Sequence, residues 1–420
     1  MTEPASRHGR AAFAFIFVTV MLDMLAIGII VPVLPKLIVQ FEHGDISMAA
    51  RQNGIFAFVF AAMQFVFAPV AGMLSDRFGR RPVVLMSNFG LGCDYLLMAL
   101  APSLSWLLLG RFISGITSSS IPTANAYIAD VTPAEQRAAK FGMLGAAFGL
   151  GFIIGPALGG FLGGYGLRYP FWAAACLSLT NTAYGFFILP ESLPRERRAA
   201  RFAMAKANPL GSLRLLRSHA ALFGLACAMF LYYLAHESLP SMFVLYTDYR
   251  YHWGTRMTGT ALAVVGVCTT LVQAVLIRRA TKRLGEVRTL FSGLLFGVAG
   301  FGLFAFAPNT TVLLMGIPLI SLWGLAGPSM QALMSRRASA SEQGQLQGAL
   351  ASLFGIAGMV GPIMFTEIFA FAVSQQGPLH VPGVPYWLAS ALLLGSLLIA
   401  WTVNQPAAQP LRASSGSVGD

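Results

Sequence analysis

The sequence predicts an all-α membrane protein with twelve transmembrane helices in two pseudo-symmetric halves of six helices each. Three observations lead to this fold class. Only 10% of the 420 residues are charged and 56% are hydrophobic, whereas soluble domains carry about 25% charged residues. Apolar stretches long enough to cross a bilayer recur along the whole chain. Glycine and proline residues also recur at one fixed offset between the first and second parts of the chain.

The composition excludes other classes of protein. A soluble fold of this length needs a large polar surface, and a disordered chain is poor in apolar residues, so neither class fits. The net charge of +12 would suit a nucleic-acid partner only if the basic residues clustered on one soluble face. The four cysteines lie inside apolar stretches without a Cys-x-x-Cys spacing, so nothing indicates a disulfide or a metal site.

Twelve stretches of about 20 apolar residues can each span a bilayer. Numbered as spans one to twelve, they are 12–37, 53–74, 82–101, 104–126, 139–163, 169–189, 219–244, 257–277, 288–307, 311–334, 344–374 and 384–403. The first follows two arginines, as a signal peptide would, but its apolar run is too long and it shows no small-residue cleavage site. We therefore expect it to remain as a transmembrane helix.

The longest connection follows span six and divides the chain into two halves. The predicted units are an N-terminal six-helix half (1–189), a cytoplasmic central loop (190–217), a C-terminal six-helix half (218–404) and a cytoplasmic tail (405–420). An offset of 206 residues aligns Gly79 with Gly285, and the Gly-Pro pair at 155–156 with that at 361–362. Two parallel six-helix halves are one known architecture of secondary transporters.

The Lys and Arg residues predict the orientation. With a cytoplasmic N-terminus, 22 of the 28 fall in cytoplasmic loops and tails, five fall in outer loops, and Arg111 alone lies within a span. The positive-inside rule therefore places both termini in the cytoplasm. The excess of basic residues is then explained by membrane orientation, and binding to a nucleic acid is not needed to account for it.

A charged loop between spans two and three reads Gly72-Met-Leu-Ser-Asp76-Arg77-Phe-Gly79-Arg80-Arg81-Pro82. A tight turn between two helices needs a glycine that tolerates positive φ, and a proline can open the next helix. The carboxylate of Asp76 can pair with a nearby arginine or cap a helix N-terminus. A loop that is basic only for orientation does not need such an ordered string, so we interpret it as a cytoplasmic gate.

Span five contains a row of glycines, Gly145-Ala-Ala-Phe-Gly149-Leu-Gly151-Phe-Ile-Ile-Gly155-Pro156-Ala-Leu-Gly159-Gly160. The glycines allow a neighbouring helix to approach closely, and Gly155 with Pro156 permits a bend in the helix. Helix packing alone would explain the same row, and that interpretation is compatible with transport.

Ionisable residues inside the spans are functional candidates, because each costs roughly 2.5–3.5 kcal/mol at mid-bilayer on insertion scales. The candidates for proton coupling are Asp23, Asp94, Arg111, His236, Glu237 and Glu367. A buried arginine needs a carboxylate or carbonyl partner, and we expect Asp23 to be the partner of Arg111. The alternative for Asp23, Asp94 and Arg111 is a structural role, as hydrogen-bonded carboxyls or a fixed ion pair between helices.

His236 and Glu237 precede Pro240 in span seven, and each can share a helix face with a tyrosine four residues earlier. A desolvated carboxyl and a histidine that titrates near neutral pH both suit a proton carrier. We expect this pair to supply protonation chemistry. Alternatively the pair lies near the outer mouth and is only solvated, and a similar alternative applies to Glu367.

Polar amides within the spans are candidates for a substrate cavity. Most such amides serve interhelical hydrogen bonds, and we select Gln64, Asn125, Gln273 and Gln331 as cavity residues. The 18 Met and 32 Phe residues would give an adaptable lining for varied apolar substrates, although most of them should face lipid or pack helices.

No motif for ordinary catalysis is present in the sequence. We find no Walker Gly-Lys-Ser/Thr loop, no His-Glu-x-x-His, no Gly-x-Ser-x-Gly and no dinucleotide fingerprint. We therefore expect a protein that is not an enzyme, that has no cofactor, and that uses a proton gradient in place of ATP.

The charged loop resembles the signature of the major facilitator superfamily, and the glycine row resembles the motif of its drug/proton antiporter branch. Three further strings, Leu22-Asp23-Met-Leu-Ala-Ile-Gly28, Cys93-Asp94-Tyr95 and Leu109-Gly110-Arg111-Phe-Ile-Ser-Gly115, make residues 15–403 similar to the tetracycline-resistance efflux pumps. The resemblance implies functional charges at Asp23, Asp76, Arg80, Asp94, Arg111, Asp130 and Arg137. It thereby adds Asp130 and Arg137 to the cytoplasmic gate of Gly72, Asp76, Arg77, Gly79 and Arg80.

The chain departs from those pumps in two places. The pumps carry an acid within span nine and tend to carry a histidine in span eight, whereas the stretches 292–301 and 266–273 here contain neither. We expect His236 and Glu237 to supply the protonation chemistry that the pumps place in spans eight and nine.

Together these features predict a proton-coupled antiporter of a bacterial inner membrane that exports amphipathic drugs by alternating access. Its partners would be the drug, protons and the lipid bilayer, and a divalent cation would accompany a tetracycline-like substrate. The alternative is an uptake symporter or facilitator for a polar nutrient, which would need a cavity dense in hydrogen-bonding groups. A membrane sensor or scaffold usually gains a soluble domain, and no segment here is long enough for one.

Overall fold

The computed structural model describes residues 4–118, 120–199, 211, 213–217, 220–339, 341–374 and 381–404. Every regular element in these ranges is helical. The predicted cytoplasmic tail (405–420) and residues 200–210 of the predicted central loop lie outside the described residues.

The helices follow the two halves of the chain. In the N-terminal half they are α1 (Pro4–Ile30), α2 (Leu34–Phe41), α3 (Ile46–Phe78), α4 (Arg80–Leu100), α5 (Leu104–Thr117), α6 (Ser120–Val131), α7 (Ala134–Gly163) and α8 (Tyr169–Ile188). After the short α9 (Leu213–Leu216), the C-terminal half has α10 (Ala220–Tyr251), α11 (Thr255–Leu271), α12 (Ile277–Phe306), α13 (Thr310–Ser321), α14 (Ala326–Arg337), α15 (Gln343–Val373) and α16 (Val384–Asn404). A π-helical segment (Val272–Leu276) joins α11 to α12, and a 3-10 segment (Leu322–Leu325) joins α13 to α14.

Ten continuous helical stretches in the described residues are long and apolar enough to cross a membrane. One of them, Thr255–Phe306, holds both spans eight and nine, which are separated by a turn at Gly285. Span four is absent from the ten because it is divided into α5 and α6. All twelve predicted spans are therefore helical, and the chain is a multi-pass, all-α membrane protein.

Span four (104–126) is helical but is formed by two helices. The helix α5 ends at Thr117 and α6 begins at Ser120, so the helix is interrupted near the middle of the span. Pro122 lies in the first turn of α6, where the missing N–H of a proline leaves no hydrogen bond unmade. A sequence window that scores only apolar length does not detect such a break.

The offset of 206 residues relates the two halves in structure as well as in sequence. Gly79 and Gly285 have φ angles of 108° and 78° at the turns that follow spans two and eight. Such angles strongly favour glycine, because a Cβ atom would be strained there. The break of span four at Ser118 likewise corresponds to the 3-10 segment at Leu322–Leu325. These matches confirm the internal repeat.

Close helix contacts explain the glycine row of span five. A Cβ atom built on Gly155 would lie 2.7 Å from the Cα atom of Gly28 in α1, and one on Gly160 would lie 2.8 Å from the Cα atom of Gly259 in α11. The row therefore packs α7 against α1 within its own half and against α11 of the other half. The halves also meet where α3 contacts α15 and α10, and where α2 contacts α10.

We expect Gly155→Ala to destabilise the protein, since its methyl group would press on the backbone of α1. The expected loss is roughly 1–3 kcal/mol of the free energy of unfolding, as for other overpacked sites. Gly145→Ala is the matched control on the same helix, because nothing lies within 4 Å of a Cβ atom there. Thermal unfolding of the two purified variants in detergent checks this, and equal melting temperatures would contradict it.

Candidate functional site

A cavity of about 250 Å³ lies between the two halves. Its walls come from spans one to four of the N-terminal half and from spans seven and eleven of the C-terminal half. Most lining side chains are aliphatic or aromatic, and the two ionisable ones of opposite charge are Arg111 and Glu237. Asn53, Ser114 and Ser118 add polar groups on the wall of the N-terminal half. The cavity thus joins an apolar volume to one cation and one acid.

Arg111 pairs with Asp94 in the N-terminal half. A guanidinium nitrogen of Arg111 lies 3.2 Å from Oδ2 of Asp94, and the side chain of Asp94 is fully buried. The face of the Phe60 ring also lies near the guanidinium, at 5.6 Å from its centroid. The expectation that Asp23 is the partner of Arg111 is therefore wrong. Asp94 lies between α4 and α5, directly against Arg111, whereas amide groups surround Asp23.

Asp23 belongs to a buried amide cluster between α1, α4 and α8. Nδ2 of Asn181 donates to Oδ1 of Asp23 at 3.0 Å and to the carbonyl of Thr19 at 3.1 Å. With its amide nitrogen turned toward Asp23, Asn88 also donates to Oδ2 at 3.0 Å. The side chains of Asp23, Asn88 and Asn181 are at most 1% exposed. These hydrogen bonds stabilise the carboxyl of Asp23 and tie three helices together.

The other predicted proton-coupling residues are dispersed over two regions. Glu237 lines the central cavity, and the ring of His236 lies 5.8 Å from that of Trp323, on an exposed side of α10. Glu367 instead lies 3.4 Å from Arg51 of the other half, where both side chains are about half exposed. The geometry therefore groups Asp94, Arg111 and Glu237 around one cavity and separates Glu367 from them.

None of the four selected amides lines the cavity itself. Gln64 contacts a residue that lines the cavity, because its Nε2 donates to the hydroxyl of Ser118 at 3.1 Å. Gln331 donates to Oε1 of Gln347 at 2.9 Å, and it is exposed, as are Asn125 and Gln273. Sequence position alone could not assign these amides to a helix face.

The charged loop forms a cluster on the side of the bundle that we call the basic face, defined by Arg77, Arg80, Arg283 and Arg336. The guanidinium of Arg80 lies 2.5 Å from Oδ1 of Asp76 and 3.0 Å from Oδ2 of Asp130. Asp76 is 55% exposed, whereas the side chain of Arg80 is only 12% exposed. The structure thus brings together Asp76, Arg80 and Asp130 of the predicted gate.

The remaining gate residues have other contacts. Nε of Arg137 donates to the carbonyl of Thr132 at 3.1 Å, and Arg77 is exposed beside the ring of Phe78. Gly79 forms the turn, and nothing lies within 4 Å of a Cβ atom built on Gly72. Of these four, only Gly79 is required by the local backbone.

The C-terminal half repeats the loop cluster with its charges inverted. The offset of 206 residues carries Asp76, Arg80 and Asp130 onto Lys282, Glu286 and Arg336. Arg336 donates to Oε1 of Glu286 at 2.6 Å, the counterpart of the contact between Arg80 and Asp130. Each half therefore ties the start of its third helical span to the end of its fourth by an ion pair. We did not predict the second pair, although the offset would have identified it.

Contacts between the halves are found on the opposite face. Nζ of Lys36 lies 2.6 Å from Oδ1 of Asp248 and also donates to the carbonyl of Trp253. Asn53 donates to the carbonyl of Ser241 at 2.8 Å, further along the same face. These bonds close the cavity on the side away from the basic face. From the sequence, Lys36 is only one of the five basic residues of the predicted outer loops.

A second contact that the sequence did not reveal holds the central loop on the turn at Gly79. Oε1 of Glu191 accepts from the backbone N–H of Arg80 at 2.8 Å, and its other oxygen lies 3.6 Å from Arg198. A Cβ atom at Gly79 would collide with this carboxylate. The start of the predicted central loop is thus attached to the turn at Gly79.

The sequence matches one protein family and several known proteins over most of the chain. The family model of the Major Facilitator Superfamily matches residues 16–362. The chain is 39% identical over 382 residues to the tetracycline resistance protein, class C, of Escherichia coli, covering 91% of this chain and 94% of that protein. It is 33% identical to the class H protein of Pasteurella multocida, with 94% and 96% covered.

Solved structures are similar over nearly the whole chain. The human organic anion transporter MFSD10 (TETRAN) superposes with a TM-score of 0.69 at 25% identity, covering 93% of this chain and 99% of that one. The nucleoside transporter NupG gives a TM-score of 0.77 at 12% identity, covering 94% and 100%. At that low identity the second similarity concerns the fold alone.

Proposed function

This chain belongs to the major facilitator superfamily, and from that premise we propose that it is a proton-coupled antiporter that exports amphipathic drugs. The observation that carries the proposal is the cavity between the two halves, with a buried ion pair on one wall and an acid on the other. The tetracycline resistance proteins, to which it is 33–39% identical, support a drug as the substrate.

We propose that the basic face is cytoplasmic and that the membrane is the bacterial inner membrane. The positive-inside rule supports this, since Arg80, Arg283 and Arg336 all lie on that face. Both chain termini would then be cytoplasmic. In this orientation the structure is closed toward the outside by Lys36 and Asp248.

Alternating access would come from rocking of the two halves about the cavity. Opening to the outside requires that the contacts of Lys36 and Asn53 with the other half break. When the cytoplasmic side closes, the clusters around Asp76 and Glu286 would hold the two halves together there as latches. Coupling follows if the drug and protons bind the two states with different affinity.

Protons would act on the acids near the cavity. A proton that enters from outside would neutralise Asp94 or Glu237, weaken the hold of the site on its drug or on Arg111, and favour the return step. Asp23, His236 and Glu367 do not line the cavity, and we assign them supporting roles in proton coupling. No resident cofactor is needed, and a divalent cation would travel only with a tetracycline-like substrate.

Everted membrane vesicles test the proposed function. Vesicles acidified inside should accumulate a fluorescent drug when they contain this protein, and an uncoupler should abolish the accumulation. Vesicles without the protein are the control. Uptake driven in the opposite direction, or accumulation of a polar nutrient instead, would support the symporter or facilitator and overturn the proposal.

We expect Lys36→Met to open the outer side, because it removes the ion pair that joins the halves there. The readout is a cysteine at Ala50, which is fully buried between the halves, in a chain whose four native cysteines are replaced. Labelling of Ala50→Cys by an impermeant maleimide from outside should rise severalfold.

Arg51→Met is the matched control for that variant. It removes a neighbouring ion pair that also joins the halves, but both of its partners are about half exposed, and such pairs contribute only about 0–1 kcal/mol. The labelling rate should therefore change little. A Lys36→Met rate equal to that of the parent would contradict a closing role for the Lys36–Asp248 pair.

A further inference from the structure

We infer that Glu191 is a positioning residue for transport, because its carboxylate holds the turn from which the guanidinium of Arg80 reaches its two acidic partners. Glu191 belongs to residues 190–199, the segment after span six that we call the strap. The inference rests on the proposed export function. It adds to that function a residue that lies outside the cavity and outside the gate predicted from the sequence.

The strap is attached to three helices of the N-terminal half. At its start, the hydroxyl of Tyr127 in α6 donates to the carbonyl of Pro190 at 3.0 Å. At its end, the backbone N–H of Ala199 donates to the carbonyl of Asp76 in α3 at 3.0 Å. Between these two points, Glu191 contacts the start of α4. The strap therefore joins the same three helices that carry the charged cluster.

Glu191 caps the start of α4 from outside that helix. Its Oε1 accepts from the backbone N–H of Arg80 at 2.8 Å and from that of Leu193 at 3.1 Å. The first N–H groups of a helix have no partner within the helix, and Gly79 at the cap position has no side chain to offer one. The helix dipole also favours a carboxylate at this end. One acid thus supplies both the hydrogen bond and the charge that the start of α4 lacks.

This cap acts on the charged cluster through Arg80. Gly79 has a φ angle of 108°, and glycine has more conformational freedom than any other residue. A contact on the next backbone N–H therefore restricts where the backbone of Arg80 lies. The position of that backbone in turn decides whether the guanidinium can contact Asp76 and Asp130 together. Glu191 is thus a positioning residue, since it contacts neither of these carboxylates and does not line the cavity.

The repeat indicates that the fold does not need this contact to form the turn. The offset of 206 residues carries Glu191 onto Leu397, which lies within α16. A Cβ atom built on Gly79 would collide with the carboxylate of Glu191, whereas among the described residues nothing lies within 4 Å of one built on Gly285. The same turn with positive φ therefore forms in the C-terminal half without such an acid. This favours a role for Glu191 in the movement of the N-terminal half over a role in folding.

Hydrogen exchange of the purified full-length protein in detergent, followed by mass spectrometry, tests whether Glu191 holds the turn. In Glu191→Ala the backbone amide of Arg80 loses its acceptor and should exchange at least tenfold faster. The turn at Gly285 should exchange as in the wild type. Glu196→Ala is the matched control, because it removes an exposed acid of the same strap, and its exchange at Arg80 should be unchanged.

Drug accumulation in everted vesicles, at matched amounts of folded protein, tests the effect on transport. We expect Glu191→Ala to lower the maximal rate severalfold and to leave the KM for the drug unchanged, because Glu191 lies outside the cavity. Glu191→Gln keeps an oxygen that can accept from the N–H of Arg80, so it should restore most of the rate and the slow exchange. Glu196→Ala should transport at the wild-type rate.

Three results would overturn the inference. They are unchanged exchange at Arg80 in Glu191→Ala, faster exchange with a wild-type rate of transport, and a raised KM in place of a lowered maximal rate. Failure of the proposed function is a separate result, since wild-type vesicles would then accumulate no drug. Faster exchange at Arg80 in Glu191→Ala would in that case leave the hold of Glu191 on the turn standing.

Discussion

Replacing Arg111 by alanine is expected to abolish drug transport and to lower the amount of folded protein in the membrane. The substitution leaves the carboxyl of Asp94, which is fully buried, without the guanidinium that lies 3.2 Å away. Removing one member of a buried ion pair costs roughly 3–5 kcal/mol. Fluorescence size-exclusion chromatography of a tagged protein measures the folded fraction, and drug accumulation in vesicles measures transport.

A neutral pair separates the two effects. Asp94→Asn combined with Arg111→Gln removes both charges together, so the folded fraction should recover most of the way to the wild type. Transport by this double variant should remain lost, because it no longer has the carboxyl of Asp94 that would take up a proton. Wild-type transport by Arg111→Ala, or by the neutral pair, would contradict a coupling role for Arg111 and Asp94.

Asp76→Asn is expected to reduce drug resistance at least tenfold without lowering expression. In the structure Asp76 is 55% exposed and contacts Arg80, which keeps its second partner Asp130 in the variant. Exposed ion pairs contribute only about 0–1 kcal/mol, so the fold should survive. The carboxylate of Asp76 is nevertheless more exposed than that of Asp130. It is therefore the acid of this cluster that is available to hold the two halves together on the cytoplasmic side.

Glu196→Gln provides a control for that variant, since it converts another exposed acid of the charged loops on the same side into an amide. Resistance and expression should both stay at the wild-type level there. Drug susceptibility in a host without other pumps gives the readout for both variants, and immunoblotting gives expression. Normal efflux by Asp76→Asn would remove the latch from the proposed cycle.

The site was only partly predictable from the sequence. The ionisable residues in the spans were identifiable as functional candidates, because a charge in lipid is costly. Their pairing was not, since Arg111 pairs with Asp94 and not with the expected Asp23. Their separation along the chain carries no information about which helix faces meet. The amides of Asn88 and Asn181 hydrogen-bond to Asp23, and no pattern in the sequence distinguished these amides from others.

The sequence by itself determined the class of protein, the twelve spans, the repeat and the positions that need glycine, because apolar length, charge asymmetry and backbone sterics act locally. Gly79 and Gly285 were aligned by offset alone, and both have positive φ. Tertiary structure alone decided that Glu237 faces a cavity with Arg111 while Glu367 does not. It also decided that Lys36 joins the halves. Such contacts depend on the rotation and tilt of helices distant in the chain, which packing sets and local pattern does not.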